Sequence, residues 1–197
     1  MTFSASVDIR ADAAEVFALV SDLRRKARLN PNIEVVRIEL EGDEPVREGS
    51  TFRHRFVKAG RIFEYRSRCV RCVPPRLFVS RGETDPPFEV RVTVEATPAG
   101  CRLTQRETLE VPAEALDALD AGPAPAPAFR DVVRWLPLFP GARHLGSELR
   151  ALQRERVLGT LRGELETWLH AVRAHVEAAS DKGLGGVRQA LAQGESA

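Results

Sequence analysis

Residues 158–176 read Leu158-Gly159-Thr160-Leu161-Arg162-Gly163-Glu164-Leu165-Glu166-Thr167-Trp168-Leu169-His170-Ala171-Val172-Arg173-Ala174-His175-Val176. Leu158, Leu161, Leu165, Trp168, Leu169, Val172 and Val176 recur at i, i+3 and i+4, while Arg162, Glu166, Arg173 and Glu177 take the other side. This predicts a long amphipathic helix, starting as early as Ser147, whose broad apolar face must be covered. Gly159 and Gly163 lie one turn apart on it, each costing about 1 kcal/mol relative to alanine, either for close packing or to leave room for a ligand.

The cover lies upstream. Phe3 to Ile9 alternates small or polar with apolar residues, the period of a strand with one wet face. Asp12 with Glu15 opens a short amphipathic helix carrying Val16, Phe17, Val20 and Leu23, and a second short helix fits between Arg24 and Leu29. After Asn30-Pro31-Asn32 a strand runs from Ile33 to about Leu40. Turn formers at Gly42-Asp43, Glu48-Gly49, Ala59-Gly60, Pro74-Pro75, Asp85-Pro86-Pro87 and Pro98-Ala99-Gly100 then delimit Ser50 to Val57, Arg61 to Val73, Leu77 to Arg81, Phe88 to Ala96 and Cys101 to Val111. Turns this short join antiparallel neighbours. The fold class is therefore α+β: a curved seven-stranded antiparallel sheet wrapped around a long C-terminal helix, with two short helices after strand one.

At 197 residues, 43% of them hydrophobic and 29% charged, the chain suits a single domain over 1–179. An inserted segment at 112–146 holds the stiff run Gly122-Pro123-Ala124-Pro125-Ala126-Pro127 and the apolar stretch Phe129 to Phe139; the tail 180–197 is expected to be disordered. A net charge of +1 supplies no field for nucleic acid or an anionic membrane. The longest apolar run, Val16 to Val20, is too short to span a bilayer and no leader is evident, so a cytoplasmic location is expected. Three cysteines fit a reducing compartment. Of the 29 basic residues only Lys26, Lys58 and Lys182 are lysines.

The opening Val7-Asp8-Ile9-Arg10-Ala11-Asp12-Ala13-Ala14-Glu15-Val16-Phe17-Ala18-Leu19-Val20-Ser21-Asp22 resembles that of START-like, SRPBCC-type domains, the helix-grip fold shared with polyketide cyclase/dehydrase relatives. Pro31 with Ile33, the Gly49-Ser50-Thr51-Phe52 turn, Pro74-Pro75-Arg76 and Thr97-Pro98-Ala99-Gly100-Cys101-Arg102-Leu103-Thr104 follow in the same order. Many relatives carry a tryptophan after the first helix, where this chain has Lys26-Ala27-Arg28-Leu29.

What the resemblance implies is a pocket between the concave sheet face and the final helix. Period-two reading then places Phe52, His54, Phe56, Phe63, Tyr65, Ser67, Val90, Val92, Gln105 and Glu107 on its walls, with Leu161, Leu165 and Trp168 from the helix, and puts the strand arginines outside. Such a mostly apolar interior with a few polar groups suits ligand binding. His54, Tyr65 and Glu107 are the catalytic candidates; a His54–Glu107 acid/base pair would need the two within hydrogen-bond reach.

Other signals point away from metal, redox or nucleotide chemistry. Cys69-Val70-Arg71-Cys72 has redox spacing, but on a regular strand i and i+3 face opposite ways. His170 and His175 stand about 140° apart on a helix. Phosphate-loop and serine-elbow motifs are absent. No metal and no cofactor are expected. The leading expectation is binding of a hydrophobic small molecule such as a lipid, polyketide-like aromatic or quinone. A polyketide cyclase/dehydrase-type enzyme is the alternative, and a protein-interaction module using the arginine-rich face or Phe129 to Phe139 is the third.

Overall fold

In a computed structural model, the structure describes residues 1–84, 87–109 and 155–180. The expected insert at 112–146, including Phe129 to Phe139, lies outside them. Of the expected tail only Ser180 is described, and it is helical.

Seven strands form one antiparallel sheet: β1 (Thr2–Ile9), β2 (Glu34–Glu41), β3 (Thr51–Lys58), β4 (Arg61–Val73), β5 (Leu77–Gly82), β6 (Phe88–Thr97) and β7 (Gly100–Leu109). Their order is β1-β7-β6-β5-β4-β3-β2. Each hairpin lays its second strand beside the first, so β2 to β7 follow in sequence across the sheet. β1 instead pairs with β7, from Thr2 opposite Thr108 to Ile9 opposite Cys101. The link from β1 to β2 must therefore cross from one sheet edge to the other, and α1 (Ala13–Ser21) and α2 (Leu23–Ala27) make that crossing.

Caps set both helices. Asp12 accepts from the Ala14 N–H at 2.7 Å and starts α1, which buries Val16, Phe17, Leu19 and Val20. Asp22 ends α1 and starts α2, accepting from the Arg24 N–H at 3.0 Å and from its guanidinium at 2.9 and 2.8 Å.

The long helix α3 spans 155–180. Leu165, Leu169, Val172 and Val176 bury against Val7, Ile9, Val94 and Leu103 of the sheet and Val16, Phe17 and Val20 of α1. Leu158 and Leu161 are only partly covered, so among the described residues the sheet is filled under the C-terminal half of α3 and hollow under the first half. The Glu177 carboxylate accepts from the Arg10 N–H at 3.0 Å, pinning the helix end to the end of β1.

Strand arginines occupy the outer face, mostly paired, as in Arg102–Asp8 at 2.8 Å and Arg53–Glu64 at 2.9 Å. One expectation of facing is overturned. Cys69 lies opposite Ser80 and Cys72 opposite Phe78, because a bulge at Val70 inserts one residue between them. Both cysteines therefore sit on the concave side, where burial pushes the Cys69 thiol up to about 12 and raises that of Cys72. At Gly159 and Gly163 an added Cβ would meet no atom among the described residues, so packing among those residues does not require glycine.

Candidate functional site

The hollow under the first half of α3 is a cavity of about 220 Å³, compared with the roughly 10–15 Å³ that a single water needs. Among the described residues, Phe3, Leu23, Ala27, Ile33, Ile38, Phe56, Phe88, Val90, Leu161, Leu165 and Trp168 supply its apolar wall. Lys26, Asn30, Asn32, His54, Lys58, Tyr65, Ser67, Ser80, Gln105, Glu107 and Glu164 are its polar groups.

These polar groups fall into three sets. The first runs along α2 and β7. Lys26 shares the inward face of α2 with Leu23 and Ala27 because they stand three and four residues apart on a helix. It is 1% exposed, as is Gln105. The Lys26 ammonium donates to Gln105 Oε1, and the Gln105 amide donates to Glu107 Oε1 at 2.6 Å. Trp168 covers the amine, its ring centroid 4.7 Å from Nζ, and its indole N–H donates to the Lys26 carbonyl at 3.1 Å. Burial drives the Lys26 pKa down to about 8, against the pull of Glu107. Burial likewise raises Glu107, partly offset by the Gln105 hydrogen bond and the charges of Lys26 and Lys58.

The second set lies on β3 and β4. His54 and Tyr65 are directly opposite in register, which stacks their rings at 4.5 Å and 15°. His54 Nε2 is 2.8 Å from Ser67 Oγ. Burial takes His54 down to about 4, so its imidazole is neutral at neutral pH. Tyr65 meets Phe56 and Phe88 edge-on, at 6.0 and 5.3 Å, and burial together with the nearby Glu107 charge raises its phenol. Phe88 has room because it lies opposite Gly82, where a Cβ would stand 2.0 Å from the ring.

The third set spans β3, the α2–β2 connection and α3. Lys58 Nζ is 2.5 Å from Glu164 Oε2, and the Asn32 amide donates to the Glu164 carbonyl at 2.9 Å. These contacts tie the strand end to the helix beside the cavity.

A family model described as polyketide cyclase/dehydrase and lipid transport matches residues 1–136. The chain belongs to this family. Among solved structures, the polyketide cyclase/dehydrase and lipid transport fold of this chain is similar to the di-domain ARO/CYC StfQ from the steffimycin biosynthetic pathway. That match has 16% identity, a TM-score of 0.63, and covers 91% of this chain and 52% of that one. It is also similar to the di-domain ARO/CYC BexL from the BE-7585A biosynthetic pathway, with 20% identity, a TM-score of 0.62, and 90% and 50% covered. TTHA0849 from Thermus thermophilus has 17% identity and a TM-score of 0.60, with 91% and 99% covered. At these identities the likeness is one of fold, and this chain spans about half of each di-domain protein. No curated protein matches the chain in sequence.

In this family member the residues expected on the walls separate into two groups. His54, Phe56, Tyr65, Ser67, Val90, Gln105, Glu107, Leu161, Leu165 and Trp168 line the cavity. Phe52 and Val92 do not; both are fully buried. Phe63 faces the same side as Phe56, stacking on it at 5.5 Å, but lies near the β3–β4 hairpin end and is 42% exposed. The conditional His54–Glu107 pair does not form among the described residues. Three strands stand between β3 and β7, and each partner is engaged elsewhere, His54 by Ser67 and Glu107 by Gln105. Sequence reading missed Lys26, Lys58 and Glu164. The available signal was the scarcity of lysine and the placing of Lys26 three residues after Leu23 on an inward helix face.

Proposed function

We propose that the protein binds a small, largely apolar molecule with one oxygen-bearing end in the cavity beneath α3. The observation that carries this reading is the joining of an apolar wall to a buried polar seam, Lys26–Gln105–Glu107. Burying the apolar body of a ligand is worth about 25 cal/mol per Å², and the seam supplies donors and an acceptor that fix its orientation. Gentle purification followed by native mass spectrometry tests the reading, together with thermal unfolding in the presence of apolar ketones, phenols and carboxylic acids. The expected result is a stoichiometric small molecule, or a rise in Tm that saturates; a ligand at 100 times its Kd stabilises by about 2.7 kcal/mol. Repeatedly empty protein with an unmoved Tm across the panel overturns the reading.

A second reading, proton transfer of the cyclase/dehydrase type, is favoured by Glu107 in particular. A carboxyl whose pKa burial raises holds its proton more readily than a free one and can pass it to a bound substrate, whereas a histidine near 4 is a weak base. The ARO/CYC descriptions of the two di-domain relatives are in keeping with this chemistry. Glu107→Gln should then abolish turnover of a polyketone substrate while leaving the protein folded. Unchanged turnover would remove Glu107 from the mechanism.

A further inference from the structure

We propose that Lys26 is a nucleophilic amine that condenses reversibly with the carbonyl group of an aldehyde or ketone held in the cavity. This inference rests on the binding reading above and adds a covalent step to it.

The geometry is that of an amine kept away from water beside a space large enough for a ligand. Lys26 is 1% exposed, yet it lines the cavity. Its carbonyl is held by the Trp168 indole, and its Nζ is located by Gln105 on one side and the Trp168 ring on the other. An amine fixed at one wall meets a bound carbonyl at high effective concentration. Arginine, which this chain uses for most of its basic positions, cannot do this chemistry, because its guanidinium stays protonated.

The charged and titratable groups lining the same cavity are Glu107 on β7, Glu164 on α3, Lys58 and His54 on β3, and Tyr65 on β4. Lys58 and Glu164 neutralise each other at 2.5 Å, which leaves Glu107 as the carboxylate coupled to Lys26. A low-dielectric site disfavours the ion pair against neutral amine plus neutral acid. Both groups move that way, Lys26 down and Glu107 up.

In the step, the Lys26 nitrogen lone pair adds to the carbonyl carbon, and the carbonyl oxygen takes a proton from Glu107, giving a carbinolamine. One N–H proton returns to Glu107, which passes it to the hydroxyl so that this leaves as water, and the remaining N–H proton goes back to Glu107 to give the neutral imine. The sum is one amine and one carbonyl converted to one imine and one water, with no change of oxidation state. Glu107 ends as it began.

The test is reductive trapping of the full chain with benzaldehyde and cyanoborohydride, which supplies the hydride that fixes the imine as a benzylamine. Only Lys26, Lys58, Lys182 and the amino terminus compete, so peptide mapping assigns the adduct directly. The expected result is benzylation of Lys26 at least roughly tenfold faster than Lys58 or Lys182 at neutral pH, because the cavity holds the aldehyde beside Lys26. Lys26→Arg and Lys26→Met should give no adduct at that position, with circular dichroism reporting that each variant is folded. A parallel dye-displacement titration with benzaldehyde separates the two ways of failing. Displacement without Lys26 labelling overturns the imine proposal and leaves ligand binding standing. No dye binding and no displacement overturns both.

Discussion

The Lys26 ammonium lies 4.7 Å from the centroid of the Trp168 ring, and the Trp168 indole N–H returns a hydrogen bond to the Lys26 carbonyl at 3.1 Å. A residue of α2 and a residue of α3 thus clasp each other at one end of the cavity.

The clasp buries a charge, and its pH dependence has a definite sign. The native Lys26 pKa is lowered from 10.5 to about 8, so between those values the unfolded chain holds a proton that the native protein has released. Stability therefore rises with pH across that window, by about 3 kcal/mol at most. Comparing urea unfolding of the wild type and Lys26→Met at several pH values checks this: the wild-type gain should be missing from the variant.

His54 gives a second window of the same sign at lower pH. Its native pKa falls from 6.5 to about 4 through burial, so the neutral imidazole contributes stability that is present above 6.5 and is lost as pH drops toward 4. The loss should approach about 3 kcal/mol. His54→Gln, which can still meet Ser67, should flatten that part of the acid unfolding curve; an unchanged curve would place the titration elsewhere.

Much of this architecture was legible in the sequence because strand alternation and helical stripe are local patterns. The hairpins after β2 follow from their turns, and the stripe from Leu158 to Val176 marks the face of α3 that the core takes up. What distance in sequence hides was harder to see. The Lys26–Gln105 contact joins residues 79 apart, and nothing local at Lys26 signals a partner on β7. The Val70 bulge reverses the facing of Cys72 in a way alternation cannot anticipate. Phe63 fails for another reason: alternation gives the side of a strand, but not where along the strand the cavity ends.

Gly82 makes room for the Phe88 ring, with an added Cβ only 2.0 Å from it. Gly82→Ala should push the ring toward the cavity and destabilise by about 1–3 kcal/mol. Loss of ligand affinity should accompany the drop in Tm, measured by thermal unfolding and ligand titration on one preparation.

The Lys58–Glu164 pair is about one-third exposed on each side, so its removal should cost less than about 1 kcal/mol. Its location predicts a kinetic effect instead. In stopped-flow mixing, Glu164→Gln should speed both ligand entry and release with little change in Tm.

Fluorescence of Trp168 in a Trp135→Phe variant tests the cavity most directly, because that indole lines it. Titration with an apolar ketone should shift the emission and saturate at one ligand per chain, and the response should be lost when Leu161→Phe fills the space. An emission spectrum that stays fixed through the titration, while the protein remains folded, would contradict the account.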